Sequence, residues 1–179
     1  MRWWLVMAAV VVVAVVGLTS EEYDMEGYDM GDLDVSSPAF GEGGEIPVKY
    51  TCDGDDTNPE IRAGNVPEDA QTLAVIVDDP DAPVGTFVHW VVFNIPAKEN
   101  VIPEGFKPDD LVVEGKNDFG NNGYGGPCPP SGEHRYFFKV YALSGSLDLA
   151  PGASKEDVEE AMGGKVLSQG ALVGVYSRK

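Results

Sequence analysis

One stretch of the sequence, residues 78–96, constrains the fold more than any other. It begins with the acidic turn Asp-Asp-Pro-Asp-Ala-Pro and continues into an apolar run that carries His89 near its start. Each proline fixes φ and pushes the preceding residue toward extended geometry, so the turn is rigid. Because its carboxylates are costly to bury, they must meet water, a donor, a metal or a ligand. The stretch therefore predicts a strand with a candidate site at its start.

Further apolar runs of strand length follow this pattern. Residues 72–77 are apolar throughout, which predicts a central strand buried on both faces. Residues 134–143 form a similar run, and the only clear helix signal begins at Ser154, a typical N-cap residue with Asp157 as the capping-box acid. The 22 glycines and 13 prolines indicate many turns. We therefore predict a mainly β fold, a central antiparallel or Greek-key sheet with few helices.

The two histidines of the chain both lie near the start of a predicted strand. On strict alternation, His89 shares one face of its strand with Val91 and Phe93. By the same rule, His134 shares a face with Tyr136. A histidine in this position is more often a structural group than a ligand contact, so the position alone does not decide between the two roles.

The charge of the chain limits its partners. It has 30 acidic and 12 basic residues, a formal net charge of −18. Nucleic-acid binding requires a basic surface, so we expect no nucleic-acid partner. Adhesion to an anionic lipid surface is disfavoured for the same reason. The charge is typical of a halophile-like acidic shell, in which salt screens the self-repulsion.

The first 35 residues differ in composition from the rest of the chain. Residues 1–20 hold an uncharged apolar run after Arg2, which predicts an uncleaved membrane anchor or a signal peptide, with a buried segment as a third alternative. Residues 21–35 carry acidic charges and no basic one, which predicts a disordered stalk. The remaining residues, 36–179, form the predicted domain. We expect an extracytoplasmic protein, membrane-anchored or secreted.

Three motifs within this domain occur together and in a specific order. They are Asp-Pro-Asp-Ala-Pro at 79–83, His-Trp at 89–90, and Gly-Pro at 126–127 leading to His-Arg-Tyr at 134–136. Together they resemble the phosphatidylethanolamine-binding protein family, also called Raf kinase inhibitor-like. The Tyr-Gly-Gly-Pro-Cys-Pro-Pro segment at 124–130 is similar to the prokaryotic branch of that family.

The resemblance implies a central β-sheet packed on a smaller sheet, with a small anion pocket at the strand ends. By this resemblance, the pocket is expected to accept phosphate-like or carboxylate groups, including the phosphorylethanolamine headgroup. The positions that match the family's pocket are Asp79, His89, Gly126, His134 and Tyr136.

Elementary chemistry suggests how such a pocket could hold an anion in an acidic protein. Two imidazoles, together with backbone N–H groups of Gly125 and Gly126, can act as donors. Asp79 either orients one imidazole or binds the amine of a zwitterionic headgroup. Three further residues are expected to support the pocket: Asp81 as a turn acceptor, Arg135 as its ion-pair partner, and Tyr124.

Other functions are compatible with the same residues. Two histidines and Asp79 also permit a mononuclear metal site, which would make the protein a metalloenzyme. A third hypothesis is a protease or kinase inhibitor, or a scaffold, that acts through the pocket region. The family resemblance favours a non-enzymatic binding protein, with no metal and no cofactor.

The only two cysteines, Cys52 and Cys128, lie in loops next to the predicted pocket. In an exported domain a disulfide between them is plausible. Two separate reduced thiols are the alternative.

Overall fold

The computed structural model describes residues 33–179. Within this range strands dominate, with one α-helix and a short 3-10 helix, as the sequence predicts. The elements are β1 (Asp34–Ser36), β2 (Gly44–Glu45), the 3-10 helix (Val48–Tyr50), β3 (Ile61–Gly64), β4 (Thr72–Asp79), β5 (Phe87–Pro96), β6 (Val101–Ile102), β7 (Val113–Glu114), β8 (Glu133–Leu143), α1 (Lys155–Met162) and β9 (Val166–Ser177).

The strands form two sheets. The larger has the order β2-β9-β8-β4-β5-β7, and the smaller has the order β1-β3-β6. All neighbouring strands are antiparallel except β2 and β9, a parallel pair at one edge. The predicted architecture, a central sheet packed on a smaller one, is confirmed.

The two faces of β4 pack against different layers. Leu73, Val75 and Val77 belong to the core between the two sheets. Ala74 and Ile76 belong to a second core, under helix α1. Because successive strand residues point to opposite faces, one uninterrupted apolar run supplies both cores. The fully buried central strand predicted from residues 72–77 is therefore confirmed.

Helix α1 starts at the predicted capping box. The Ser154 hydroxyl accepts the Asp157 N–H at 3.1 Å, and the Asp157 carboxylate accepts the Ser154 N–H at 2.9 Å. Two otherwise unpaired backbone donors are satisfied in this way. The short Asp157 side chain therefore completes the box.

The predicted boundary between stalk and domain was slightly too late. Leu33 and Val35 are buried, and β1 begins at Asp34, so the last residues of the predicted stalk belong to the folded domain. The anchor and the rest of the stalk lie outside the described residues. No helix within residues 33–179 is long and apolar enough to cross a membrane.

Candidate ligand-binding site

A β-bulge in β5 sets the position of His89. Asp78 of β4 pairs with Val88 and Val77 pairs with Trp90, so His89 is the extra residue of the bulge. Its ring packs edge-on against the ring of Tyr136, with centroids 5.2 Å apart. The alternation that grouped His89 with Val91 and Phe93 was therefore wrong. The bulge turns the imidazole toward the face that Tyr136 occupies.

Reciprocal hydrogen bonds fasten His89 to the glycine-rich loop. Its Nδ1 donates to the Gly125 carbonyl at 2.7 Å, and the Gly125 N–H donates to the His89 carbonyl at 2.9 Å. Since a carbonyl only accepts, Nδ1 carries the proton. Burial lowers the pKa of His89, partly offset by the Gly125 carbonyl and the charge of Asp79. The resting ring is therefore a neutral imidazole whose Nε2 is an acceptor.

The second histidine is held by the acidic turn. Nδ1 of His134 lies 2.7 Å from Oδ2 of Asp79, and both side chains are nearly fully buried. Oδ1 of Asp79 accepts the N–H of Asp81 at 2.8 Å. Both carboxylate oxygens are thus engaged inside the protein. Of the two roles considered for Asp79, the geometry shows the orientation of the imidazole.

Asp81 and Arg135 connect the turn to β8. The guanidinium donates to both oxygens of Asp81, from Nε at 2.9 Å and from Nη2 at 2.7 Å. The Arg135 N–H adds a third bond at 3.0 Å. The arginine holds the pKa of Asp81 below its usual value. The bidentate pair therefore sets the turn, and with it Asp79, against the strand that carries His134.

Tyr136 contributes an unusual polar group. Its side chain is fully buried, and its hydroxyl makes no hydrogen bond of normal geometry among residues 33–179, although the Asp79 carboxylate and the Cys128 N–H lie near it. Burial, and then the charge of Asp79, raise the pKa of Tyr136 far above its usual value. The hydroxyl therefore keeps its proton, and a poorly satisfied buried donor is unfavourable. A ligand oxygen would give it a well-placed acceptor.

The glycine-rich loop does not supply the amide donors that the sequence suggested. The Gly126 N–H donates to Oδ1 of Asp56 at 2.6 Å, while the Gly125 N–H bonds to His89. The expectation that these amides face an anion was wrong. Gly126 is needed for packing, since a Cβ there would lie 2.4 Å from the Tyr50 carbonyl oxygen. Tyr124 supports the same contact, because its hydroxyl donates to that carbonyl at 2.8 Å.

A disulfide joins this glycine-rich loop to the loop that follows the 3-10 helix. Cys52 and Cys128 are bonded, with Cα atoms 5.5 Å apart. The Cys52 N–H also donates to the Pro127 carbonyl at 3.2 Å. The bridge spans 76 residues and, on the chain-entropy model, stabilises the fold by about 4 kcal/mol.

The sequence did not identify two aromatic residues next to His89, Phe87 and Phe119, as residues of the site. Phe119 lies 5.4 Å from the His89 ring and 4.8 Å from the Phe87 ring, centroid to centroid. Phe119 is 44% exposed, so the cluster forms an apolar rim beside the imidazole. No local pattern marks a loop phenylalanine for this role. Phe87 could have been inferred, since it lies two residues from His89 at the start of the strand.

The geometry does not favour the metal-site alternative. Within the described residues, no three His, Cys, Asp or Glu side chains are grouped so that they could hold a metal ion. The carboxylate that the hypothesis needs, Asp79, is occupied by His134 and by the N–H of Asp81. Asp79 is therefore the partner of an imidazole.

Comparison with known proteins agrees with the motifs. Residues 36–177 match the family model described as phosphatidylethanolamine-binding protein. The chain belongs to the phosphatidylethanolamine-binding protein family. The match covers every strand from β2 to β9 and all the site residues described above.

Relatives of known sequence and structure support this assignment. A protein of Methanothermobacter thermautotrophicus named UPF0098 protein is 52% identical over 151 residues, which cover 82% of this chain and 99% of the relative. A phosphatidylethanolamine-binding protein homologue of Chlamydia trachomatis has a TM-score of 0.77 at 37% identity, covering 82% of this chain and 98% of its own. Escherichia coli YbcL, a member of the same family, has a TM-score of 0.76 at 33% identity, covering 82% and 99%. These relatives place the chain in the prokaryotic branch.

Proposed function

We propose that the histidine pocket binds a small ligand with a phosphate or carboxylate group, together with a proton. The observation that supports this best is that both imidazoles are anchored through Nδ1, beside a buried Tyr136 hydroxyl that makes no hydrogen bond of normal geometry within the described residues. The second nitrogen of each ring, Nε2, is then the atom that meets the ligand. The proposed role is binding, without catalysis.

The proton is part of the proposal because the glycine amides are already used. The amides of Gly125 and Gly126 are engaged, so the tyrosine hydroxyl and the two rings are the side-chain donors that we assign to the anion. A neutral imidazole with its proton on Nδ1 offers only a lone pair at Nε2, whereas an imidazolium offers a second donor. Anion binding should therefore take up protons at neutral pH and strengthen as the pH falls.

The rim favours a phosphate attached to an organic group over free phosphate. Phe87 and Phe119 flank His89 on one side, and Val84 of the acidic turn is 87% exposed. Apolar contacts of this kind do not help an inorganic ion but would bury part of an attached chain. A phosphorylethanolamine-like headgroup is the substituted phosphate that the family relationship suggests.

Titration calorimetry tests the proposal directly. Phosphate and phosphorylethanolamine are titrated at pH 6 and pH 8, each in two buffers of different ionisation enthalpy. We expect tighter binding at pH 6, proton uptake near pH 7, and tighter binding of the substituted phosphate. Equal affinity at both pH values, without proton uptake, would contradict the proposed coupling.

Tyr136→Phe separates binding from folding. The change removes a buried hydroxyl that makes no hydrogen bond of normal geometry within the described residues, so stability should change little, while phosphate affinity falls about ten-fold. Tyr141→Phe, on the opposite face of the same strand, is the matched control and should keep its affinity. His89→Ala or His134→Ala should also weaken binding. Unchanged affinity in both histidine variants would overturn the pocket assignment.

A further inference from the structure

A second cavity lies apart from the histidine pocket. It has a volume of about 190 Å³ and is enclosed by residues 56–58, 105–107 and 122–124 together with Trp90 and Glu114. Neither histidine lines it, nor do Asp79 and Tyr136. Sites for drug-sized ligands usually measure roughly 300–1,000 Å³, so this cavity suits a smaller molecule.

Three aromatic residues contribute to its wall, which is otherwise mostly polar. Trp90, Phe106 and Tyr124 all line the cavity. The Trp90 ring lies 5.6 Å from the Tyr124 ring at 89°, and 6.4 Å from the Phe106 ring at 60°, centroid to centroid. The rings thus pack against one another and present only a small apolar edge to the cavity.

The charged groups of the cavity carry an excess of negative charge. Asp56 and Glu114 line it, against one cation, Lys107, whose side chain is exposed. Oδ1 of Asp56 accepts the Gly126 N–H, but within residues 33–179 no hydrogen bond or ion pair engages the Glu114 carboxylate. Gly123, at φ 93°, makes room for it, since a Cβ there would lie 3.0 Å from both carboxylate oxygens. A half-buried carboxylate is thus left for a cationic ligand.

A buried donor at the cavity wall points to a second property of the ligand. Trp90 is 1% exposed, and its Nε1 has no hydrogen-bond partner in the part of the chain that the structure describes. Leaving an indole N–H buried without an acceptor is unfavourable. An oxygen on the ligand would complete this bond.

The walls are held in place without a ligand. The Asn58 side chain donates to the carbonyls of Pro59 and Pro103, each at 2.9 Å, and accepts the Phe106 N–H at 2.8 Å. The Tyr124 hydroxyl is fixed on the Tyr50 carbonyl. Because these side chains are already ordered, binding costs little further conformational entropy, which favours the recognition of a small ligand.

We propose that this cavity is a second binding site, for a small organic cation that also carries an oxygen acceptor, such as an amino alcohol. Glu114 holds the ammonium group beside the aromatic edge, and the Trp90 N–H donates to the oxygen. The ligand contacts of this site differ from those of the proposed anion pocket, although Asp56 and Tyr124 connect it to the same glycine-rich loop.

Three probes separate charge from shape. The full chain is titrated with choline, with tetramethylammonium, which lacks the oxygen, and with 3,3-dimethyl-1-butanol, the neutral isostere of choline. Binding is followed by the indole N–H resonance of Trp90 in NMR spectra, assigned by its loss in Trp90→Phe. We expect choline to give a saturable shift, tetramethylammonium to bind more weakly, and the neutral alcohol to bind about ten-fold more weakly or not at all.

Two variants should change choline affinity in opposite directions. Glu114→Gln should weaken it about ten-fold, and Lys107→Gln should strengthen it by a few-fold, which unfolding cannot mimic. Glu114→Gln should leave phosphate binding unchanged, and His134→Ala should leave choline binding unchanged. Equal binding of choline and its neutral isostere, no effect of Glu114→Gln, or an unmoved Trp90 resonance would each overturn the proposal.

Discussion

Asp78 and Asp79 are consecutive in β4 and equally buried, at 1% and 3% exposure, yet they belong to opposite faces of the large sheet. Asp78 lies under helix α1, where its Oδ2 accepts from Lys139 Nζ at 2.8 Å and from Lys155 Nζ at 2.6 Å. Asp79 lies on the other face and contacts His134. Since the two carboxylates are similarly buried, they differ mainly in the side chains that they contact.

The partners give the two carboxylates different uses. Two ammonium groups contact Asp78, and this ion-pair cluster fastens α1 to the sheet. Asp79 instead orients an imidazole, a ring with a second hydrogen-bonding nitrogen. The comparison teaches that one face of the sheet uses its buried carboxylate to hold a helix, whereas the other face uses its buried carboxylate to orient a residue of the candidate site.

The largest expected effect is that of Asp78→Asn. It removes the negative charge that two buried ammonium groups contact, so we expect a loss of roughly 3 kcal/mol or more in the free energy of unfolding. Urea denaturation measures it. Asp110→Asn, at an exposed position, is the matched charge control and should change stability by less than about 0.5 kcal/mol. If Asp78→Asn lowered the free energy of unfolding no more than Asp110→Asn does, the stabilising role given to Asp78 would be wrong.

Asp79→Asn should destabilise less but should alter binding more. The amide keeps an acceptor for the Asp81 N–H, so we expect a loss of about 1–2 kcal/mol. Without the carboxylate that orients the His134 ring, phosphate affinity should fall about ten-fold. Titration calorimetry at neutral pH checks this. An affinity equal to that of the unsubstituted protein would show that Asp79 does not orient the ring for binding.

The smallest expected effect is a pH dependence of stability due to His89. Because burial lowers its pKa in the folded state, the unfolded chain binds more protons below about pH 6.5. The contribution of the buried neutral ring is therefore full above that pH and is lost as the pH falls toward the lowered pKa. Stability should decline more steeply between pH 7.5 and 5.5 in the unsubstituted protein than in His89→Gln. Parallel declines would contradict the assignment.

Much of the fold was predictable because it depends on local patterns. The continuous apolar run of β4, the capping box at Ser154 and the motif order indicated strands, helix and family correctly. For the candidate site, the sequence predicted which residues take part but not how they are arranged. The bulge at His89 was missed, because a bulge depends on how β5 pairs with β4 and leaves no mark in an apolar run.

By itself the sequence determined the family through its three motifs, and the mainly β architecture through its apolar runs and turn residues. It also determined which residue types are available to the candidate site. Only the tertiary structure decided which partners they have. In the folded chain, Asp78 contacts two lysines and Asp79 contacts a histidine. The two glycine amides donate to Asp56 and to the His89 carbonyl. The physical reason is that each of these bonds joins residues far apart in the chain. Strand register and loop packing bring them together, and no local preference encodes either.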